Sequence, residues 1–111
     1  MENTDNILRQ LYATVIERRD NPQDGSYTCY LLDKGLDKIL KKVGEESAET
    51  IIAAKNGNAE ELTGEIADLI YHLMVMMVST GLPLDAVLAE LDKRSLKTGN
   101  LKTFHQTDHN S

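Results

Sequence analysis

The sequence predicts an all-α protein, a bundle of four to five helices in one domain. Three observations carry that prediction. Apolar residues recur at helical spacing in successive segments of the chain. The breaks between segments hold turn and cap signals: Asn21-Pro22 with Asp24-Gly25, Asn56-Gly57-Asn58, and Gly81-Leu82-Pro83. One stretch, 69–78, is apolar almost all the way round, as a central bundle helix is.

The first helix opens at Thr4, whose hydroxyl suits an N-cap, and places Ile7, Leu8, Leu11, Val15 and Ile16 at helical spacing. It stops near Asp20, where the turn signals begin. Residues 21–35, NPQDGSYTCYLLDKG, read as a loop, long for so small a domain, and loops of this length often carry function. Ser26, Tyr27 and Thr28 put three hydroxyls there. They suit phosphate or ribose oxygens and, equally, local bonds to the backbone. A second helix follows from about 36 to 56 and is closed by Gly57.

Asn58 caps the third helix, with Glu61 at N3 in a capping-box-like pattern, and the helix runs to about Thr80. A segment apolar on every side has to be buried on every side. Four helices in 111 residues struggle to surround it, so the expectation is a homodimer with 69–78 at the interface. Met74, Met76 and Met77 read as adaptable core. The fourth helix, 84 to about 96, carries Leu84, Val87, Leu88 and Leu91 as its stripe. Arg94 and Lys97 near its end complement the helix dipole or reach a phosphate. Residues 1–98 form the domain, and 99–111 a polar tail, mobile by composition, whose His105 and His109 receive no role.

Composition narrows the function. Hydrophobic residues at 41% with 27% charged describe a globular chain. A net charge of −6 and the lack of a basic stripe argue against nucleic acid as a partner. A polyanionic substrate would then need a metal ion and locally placed Lys and Arg. The single cysteine, Cys29, excludes an internal disulfide and fits a reducing compartment. No charged leader with an apolar run opens the chain, which argues against secretion. The run 73–78 is too short to span a bilayer, so no membrane partner is expected.

The chemistry gathers in KKVGEESAE (41–49) and EIADLIYH (65–72). Residues three or four apart share a helix face, so Glu45, Glu46 and Glu49 form one carboxylate group, and Glu65 and Asp68 another. At about 100° per residue, Ile39, Leu40, Val43 and Ile51 make one stripe, with Glu46 at its edge and Lys42 and Glu49 just beyond. Leu62, Ile66, Leu69, Ile70 and Leu73 make the other, flanked by Glu65, with Asp68 and His72 farther round. Two helices packed by these stripes bring Glu46, Glu49, Glu65 and Asp68 together.

Such carboxylates repel one another, and partial burial raises the cost of their charge. A hard divalent cation removes both problems, and oxygen ligands favour Mg²⁺ or Mn²⁺ over zinc or copper. The plainer reading is a solvated acidic face, with Lys41–Glu45 and Lys42–Glu46 as ordinary helix pairs. Against it stand the like-charge i,i+4 pairs Glu45–Glu49 and Glu61–Glu65. His72, flanked by apolar residues, reads as a hydrogen-bonded structural histidine.

These residues resemble a known family. EESAE at 45–49 followed by EIAD at 65–68 matches the E-E-x-x-E … E-x-x-D signature of the all-α, MazG-like nucleoside-triphosphate pyrophosphatase superfamily. Within it, Ser26-Tyr27-Thr28, the run KGLDKILKKVGEESAE at 34–49 and ADLIYHLMV at 67–75 resemble the phosphoribosyl-ATP pyrophosphohydrolases of histidine biosynthesis. The resemblance covers roughly residues 5 to 96. It implies a MazG-like helical fold and a cytoplasmic homodimer or larger homo-oligomer. It also implies Mg²⁺-dependent cleavage of the α–β phosphoanhydride of phosphoribosyl-ATP to phosphoribosyl-AMP and pyrophosphate, with Mn²⁺ as a substitute metal. Carried over by residue, Glu46, Glu49, Glu65 and Asp68 would hold metal, and Glu45, Glu46 and Glu49 would be catalytic. Ser26, Tyr27, Thr28, Lys42 and Arg94 would bind substrate; Lys38 is a further candidate for a phosphate contact but reads first as a surface ion-pair partner. The alternatives are a broader nucleoside-triphosphate pyrophosphatase and a non-catalytic helical dimerisation module.

Overall fold

A computed structural model of the protein describes residues 4–95, with side chains from residue 7 onward. They form five helices: α1 (Thr4–Asp20), α2 (Tyr27–Lys34), α3 (Leu36–Asn56), α4 (Ala59–Thr80) and α5 (Leu84–Ser95). No strand occurs among the described residues. The punctuation read from the sequence sets most of the ends. Asn58 Oδ1 accepts the Glu61 N–H at 3.0 Å to cap α4, and Gly57 and Gly81 close α3 and α4 in the left-handed region. The Thr4 side chain, Lys97 and the tail 99–111 with His105 and His109 lie outside the described residues.

The stretch 21–35 departs from the expected loop, because α2 occupies more than half of it. Ser26 sits in extended backbone and its hydroxyl accepts the Cys29 N–H at 3.1 Å, which starts the helix. Eight residues are too few for propensity alone to hold a helix. Leu31, buried completely, anchors this one in the core. Gly35 ends it with φ 98°, where an L side chain is strained. The Gly35 N–H donates to Leu31 O and its carbonyl accepts from Ile39 N–H, so one residue closes α2 and opens α3.

The core is built around one side chain from each of the first four helices. Val15, Leu31, Ile39 and Val75 are each at most 1% exposed, with Met74, Met77, Val78 and Leu84 around them. The most extensive packing joins α3 to α4, which Gly57-Asn58 fold back as a hairpin.

Two expectations about faces change. α3 turns Ile39, Glu46 and Ala53 inward, while Leu40 and Ile51 of the expected stripe face water. These three are spaced by seven residues, close to two turns, so they keep one face with only about 20° of drift. Ile66 on α4 is likewise exposed. Every residue of 69–78 is buried or half-buried within the single chain. By length and composition alone α4 is long and apolar enough to cross a bilayer, beyond what the run 73–78 suggested. Here that apolarity faces α1, α2 and α3.

Candidate metal and active site

The α3–α4 hairpin brings Glu46, Glu49 and Glu65 together, one carboxylate oxygen of each lying within 4.8 Å of the others. Two oxygens on opposite sides of one Mg²⁺ at about 2.1 Å stand roughly 4.2 Å apart, a similar span. The three differ in exposure: Glu46 is only 6% exposed, Glu65 is half-buried and Glu49 is open to solvent. Glu46 lies on the inward line of α3 rather than at the edge of a stripe. Glu46 Oε2 is 3.6 Å from Lys42 Nζ, which also reaches Glu45 Oε1 at 3.3 Å. Burial pulls the Lys42 ammonium down, but the hydrogen bond to Glu45 and the neighbouring Tyr27, Glu45 and Glu46 outweigh it and raise it.

The remaining oxygens carry the decisive observation. Glu46 Oε1 and Glu65 Oε1 are buried and meet no hydrogen-bond donor. A polar group taken from water without a partner costs free energy, and more so when charged. At Glu65, loss of solvent, and then Glu46 and Glu49 beside it, push the carboxyl up to about 7. A cation would relieve both orphaned oxygens and the mutual repulsion. An all-carboxylate donor set suits a hard divalent ion.

Asp68, three residues beyond Glu65 on α4, is exposed and stands outside the trio. Its backbone carbonyl accepts the Nδ1–H of His72 at 2.7 Å. Since a carbonyl only accepts, the neutral imidazole keeps its proton on Nδ1, and Nε2 accepts from the Tyr27 hydroxyl at 3.0 Å. His72 is buried with both nitrogens engaged, in keeping with a structural histidine. Ser26 spends its hydroxyl on the α2 cap, and Thr28 hydrogen-bonds the Tyr71 hydroxyl. Arg94 pairs with Glu90 on its own helix at 2.9 Å, and its partners do not include the acid trio.

Tyr27 is the link between α2 and the acids. Its ring stacks near those of Tyr30 and Tyr71, each centroid 6.1 Å away, with His72 edge-on at 5.7 Å. Burial raises its phenol, Lys42 opposes that, and Glu46 adds to it, so the hydroxyl stays protonated at neutral pH. A cleft of about 830 Å³ between the end of α1 and α2, lined in part by Arg18, Ser26, Cys29 and Tyr30, shares Tyr27 with this cluster. Sequence reasoning missed Tyr30 and Tyr71. The i,i+3,i+4 spacing of Tyr27, Tyr30 and Leu31 after Ser26 signals the helix that presents them.

The sequence pattern of phosphoribosyl-ATP pyrophosphohydrolase matches residues 8–95. The chain is 53% identical over 105 residues to a phosphoribosyl-ATP pyrophosphatase of Clostridium botulinum (strain Kyoto / Type A2), covering 95% of this chain and 96% of that protein. It is 55% identical over 91 residues to one of Pelotomaculum thermopropionicum, covering 82% and 93%. To one of Streptococcus sanguinis it is 48% identical over 103 residues, covering 93% and 99%. Identity near one half along almost the full length of both partners, together with the pattern match across α1 to α5, has one meaning: the chain belongs to the phosphoribosyl-ATP pyrophosphohydrolase family.

Proposed function

We propose that the protein hydrolyses the α–β phosphoanhydride of phosphoribosyl-ATP, releasing pyrophosphate and leaving phosphoribosyl-AMP, an early step of histidine biosynthesis. The observation that carries the reading is the pair of buried, donorless oxygens on Glu46 and Glu65, with Lys42 beside Glu46, in a chain whose relatives bear the name of this enzyme. Glu46, Glu49 and Glu65 hold Mg²⁺, or Mn²⁺ in its stead, with Asp68 one turn along α4 available to complete the set. When bound, the ion offsets the charge that develops on the phosphate oxygens.

The chain's own groups do the rest. Glu45, outside the trio and tethered by Lys42, takes the proton of the attacking water as its oxygen bonds to phosphorus and the anhydride bond to pyrophosphate breaks. Lys42, held cationic, reaches the phosphate oxygens. Tyr27, its proton committed to His72, offers the lone pairs of its oxygen to a ribose hydroxyl. Ser26 and Thr28 serve by fixing the start of α2 that presents Tyr27.

Residues 1–98 constitute the catalytic domain, acting in the cytoplasm as a homodimer or larger homo-oligomer without nucleic acid or membrane. The dimer reading is supported by Ile51 and Ile52 on α3, which are 68% and 57% exposed, and by exposed Ile66 on α4. The test of function is product analysis by ion-pair chromatography with phosphoribosyl-ATP and a panel of plain nucleoside triphosphates, each with and without Mg²⁺. Phosphoribosyl-AMP and pyrophosphate from the first substrate alone, only with metal, is the expected outcome. Cleavage of several plain triphosphates would instead make it a broader pyrophosphatase, and cleavage of none would leave a non-catalytic module.

A further inference from the structure

Phosphoribosyl-ATP differs from a plain triphosphate at one end only, where a phosphoribosyl group is attached to N1 of the adenine. The acid trio and Lys42 engage the triphosphate, so discrimination calls for a second anion site beyond the base. Lys34 at the end of α2 and Lys38 in the first turn of α3 meet that description. Their Nζ atoms lie 5.8 and 5.9 Å from the centroid of the same ring, that of Tyr30. Neither makes an ion pair among the described residues. The reading of Lys38 as a surface ion-pair partner therefore fails, since the positions three and four beyond it are Lys41 and Lys42. Two cations that converge on one ring, each next to an aspartate in sequence yet in an ion pair with none, are arranged for an anion brought from outside.

The surroundings agree. Gly35 gives α3 no side-chain cap, so amide groups of its first turn remain available. Long helical side chains lean toward the N-terminus of their helix, which carries the Lys38 ammonium to that end. Tyr30 and Tyr27 are 43% and 45% exposed and stack with an interplanar angle of 22°, a surface for a purine and its riboses. Lys38 precedes Glu46 by eight residues of α3, about 12 Å along the helix axis at roughly 1.5 Å per residue. That separation suits a substrate whose phosphate-bearing ends are divided by a purine and two riboses.

We propose that Lys34 and Lys38, gathered at Tyr30, bind the 5′-phosphate of the N1-phosphoribosyl group while the Tyr27–Tyr30 pair supports the purine. The site selects phosphoribosyl nucleotides over plain triphosphates, and it rests on the substrate reading above. The experiment is steady-state kinetics of the wild type and of K34A/K38A with phosphoribosyl-ATP and with N1-ribosyl-ATP, which lacks that phosphate. In the wild type, loss of the phosphate raises KM roughly 10- to 100-fold, the worth of a charge-assisted hydrogen bond. K34A/K38A raises KM for phosphoribosyl-ATP by a similar factor, with a far smaller change in kcat, and adds nothing for N1-ribosyl-ATP. K34R/K38R, which keeps both charges, restores most of the loss. An equal KM rise for both substrates, or no rise for either, overturns the phosphate assignment alone. A wild type that cleaves neither substrate overturns the substrate reading itself.

Discussion

Replacing Glu46 with glutamine should stabilise the metal-free protein and abolish its response to Mg²⁺. The side chain is nearly sealed from solvent, and its Oε1 has no donor, nor has Glu65 Oε1 next to it. An amide nitrogen in place of Glu46 Oε1 supplies the missing donor to the acid trio and removes one charge. Satisfying a buried polar group is worth about 1–3 kcal/mol. Against that stands the 3.6 Å pair with Lys42, whose charge stays balanced by the closer, more exposed Glu45 at 3.3 Å, so that its loss costs about 0–1 kcal/mol. The net gain is about 1 kcal/mol, or roughly 4–8 °C in Tm for a domain of this size. Mg²⁺ at about 100 times its Kd should stabilise the wild type by about 2.7 kcal/mol, hence roughly 10–20 °C. Glu46→Gln, lacking one ligand of the trio, should show almost none of this. Scanning calorimetry in EDTA and in excess Mg²⁺ therefore predicts a crossover, with the variant melting above the wild type without metal and below it with metal. A variant that melts lower in EDTA, and still gains as much from Mg²⁺ as the wild type does, would refute the assignment of Glu46.

Other predictions concern the groups around the trio. Glu65 has its carboxyl raised from 4.5 to about 7 in the folded chain. Between those values the native state holds a proton that the unfolded chain has released. In EDTA its contribution to stability is therefore full below pH 4.5 and is lost as pH rises through about 7. Urea melts across that window check the slope, which Glu65→Gln should flatten, and Mg²⁺ affinity should climb over the same range. Tyr27→Phe should strand the buried Nε2 of His72 and lower stability by about 1–3 kcal/mol, while raising KM more than it lowers kcat; unchanged kinetics would remove Tyr27 from the site. Gly35→Ala meets no neighbour within 4 Å, yet at φ +98° it should cost about 1–3 kcal/mol of unfolding free energy, read from a lowered denaturant midpoint at unchanged m-value, purely through the backbone.

The sequence made the helix ends and the acid trio legible, because both rest on local rules. Capping residues and glycines act within a few positions, and Glu46 and Glu49 share a turn whatever the helix packs on. Which face turns inward is a different matter. α3 carries apolar residues on both sides, with Ile39 and Ala53 on one and Leu40, Ile51 and Ile52 elsewhere. The choice between them is made by α4, so Glu46 read as an edge residue when it lies on the buried line. α2 escaped because the turn-forming residues 21–25 mask the Ser26 cap and only Leu31 of its eight residues is fully buried. The lysine pair at Tyr30 was hidden for the same reason, since Lys34 and Lys38 belong to different helices that meet only once Gly35 bends the chain between them.

Placing Glu46 two turns after Ile39 and two before Ala53 has a consequence for binding. A surface carboxylate would be hydrated and would give up water on capturing a cation. A carboxylate on the core line has already lost that water during folding, with its Oε1 left unmatched. Part of the desolvation cost of binding is thus met when the core forms, and the cation gains the difference. Such a site weakens the metal-free fold by construction, since the same position filled by an apolar residue would pack against α4 without penalty. Tight core packing at Ile39 and Val75, both fully buried, offsets that weakness. The site and the core are therefore one structure: loosening the core by truncating Ile39 should let Glu46 rehydrate, reducing Mg²⁺ affinity without touching a ligand.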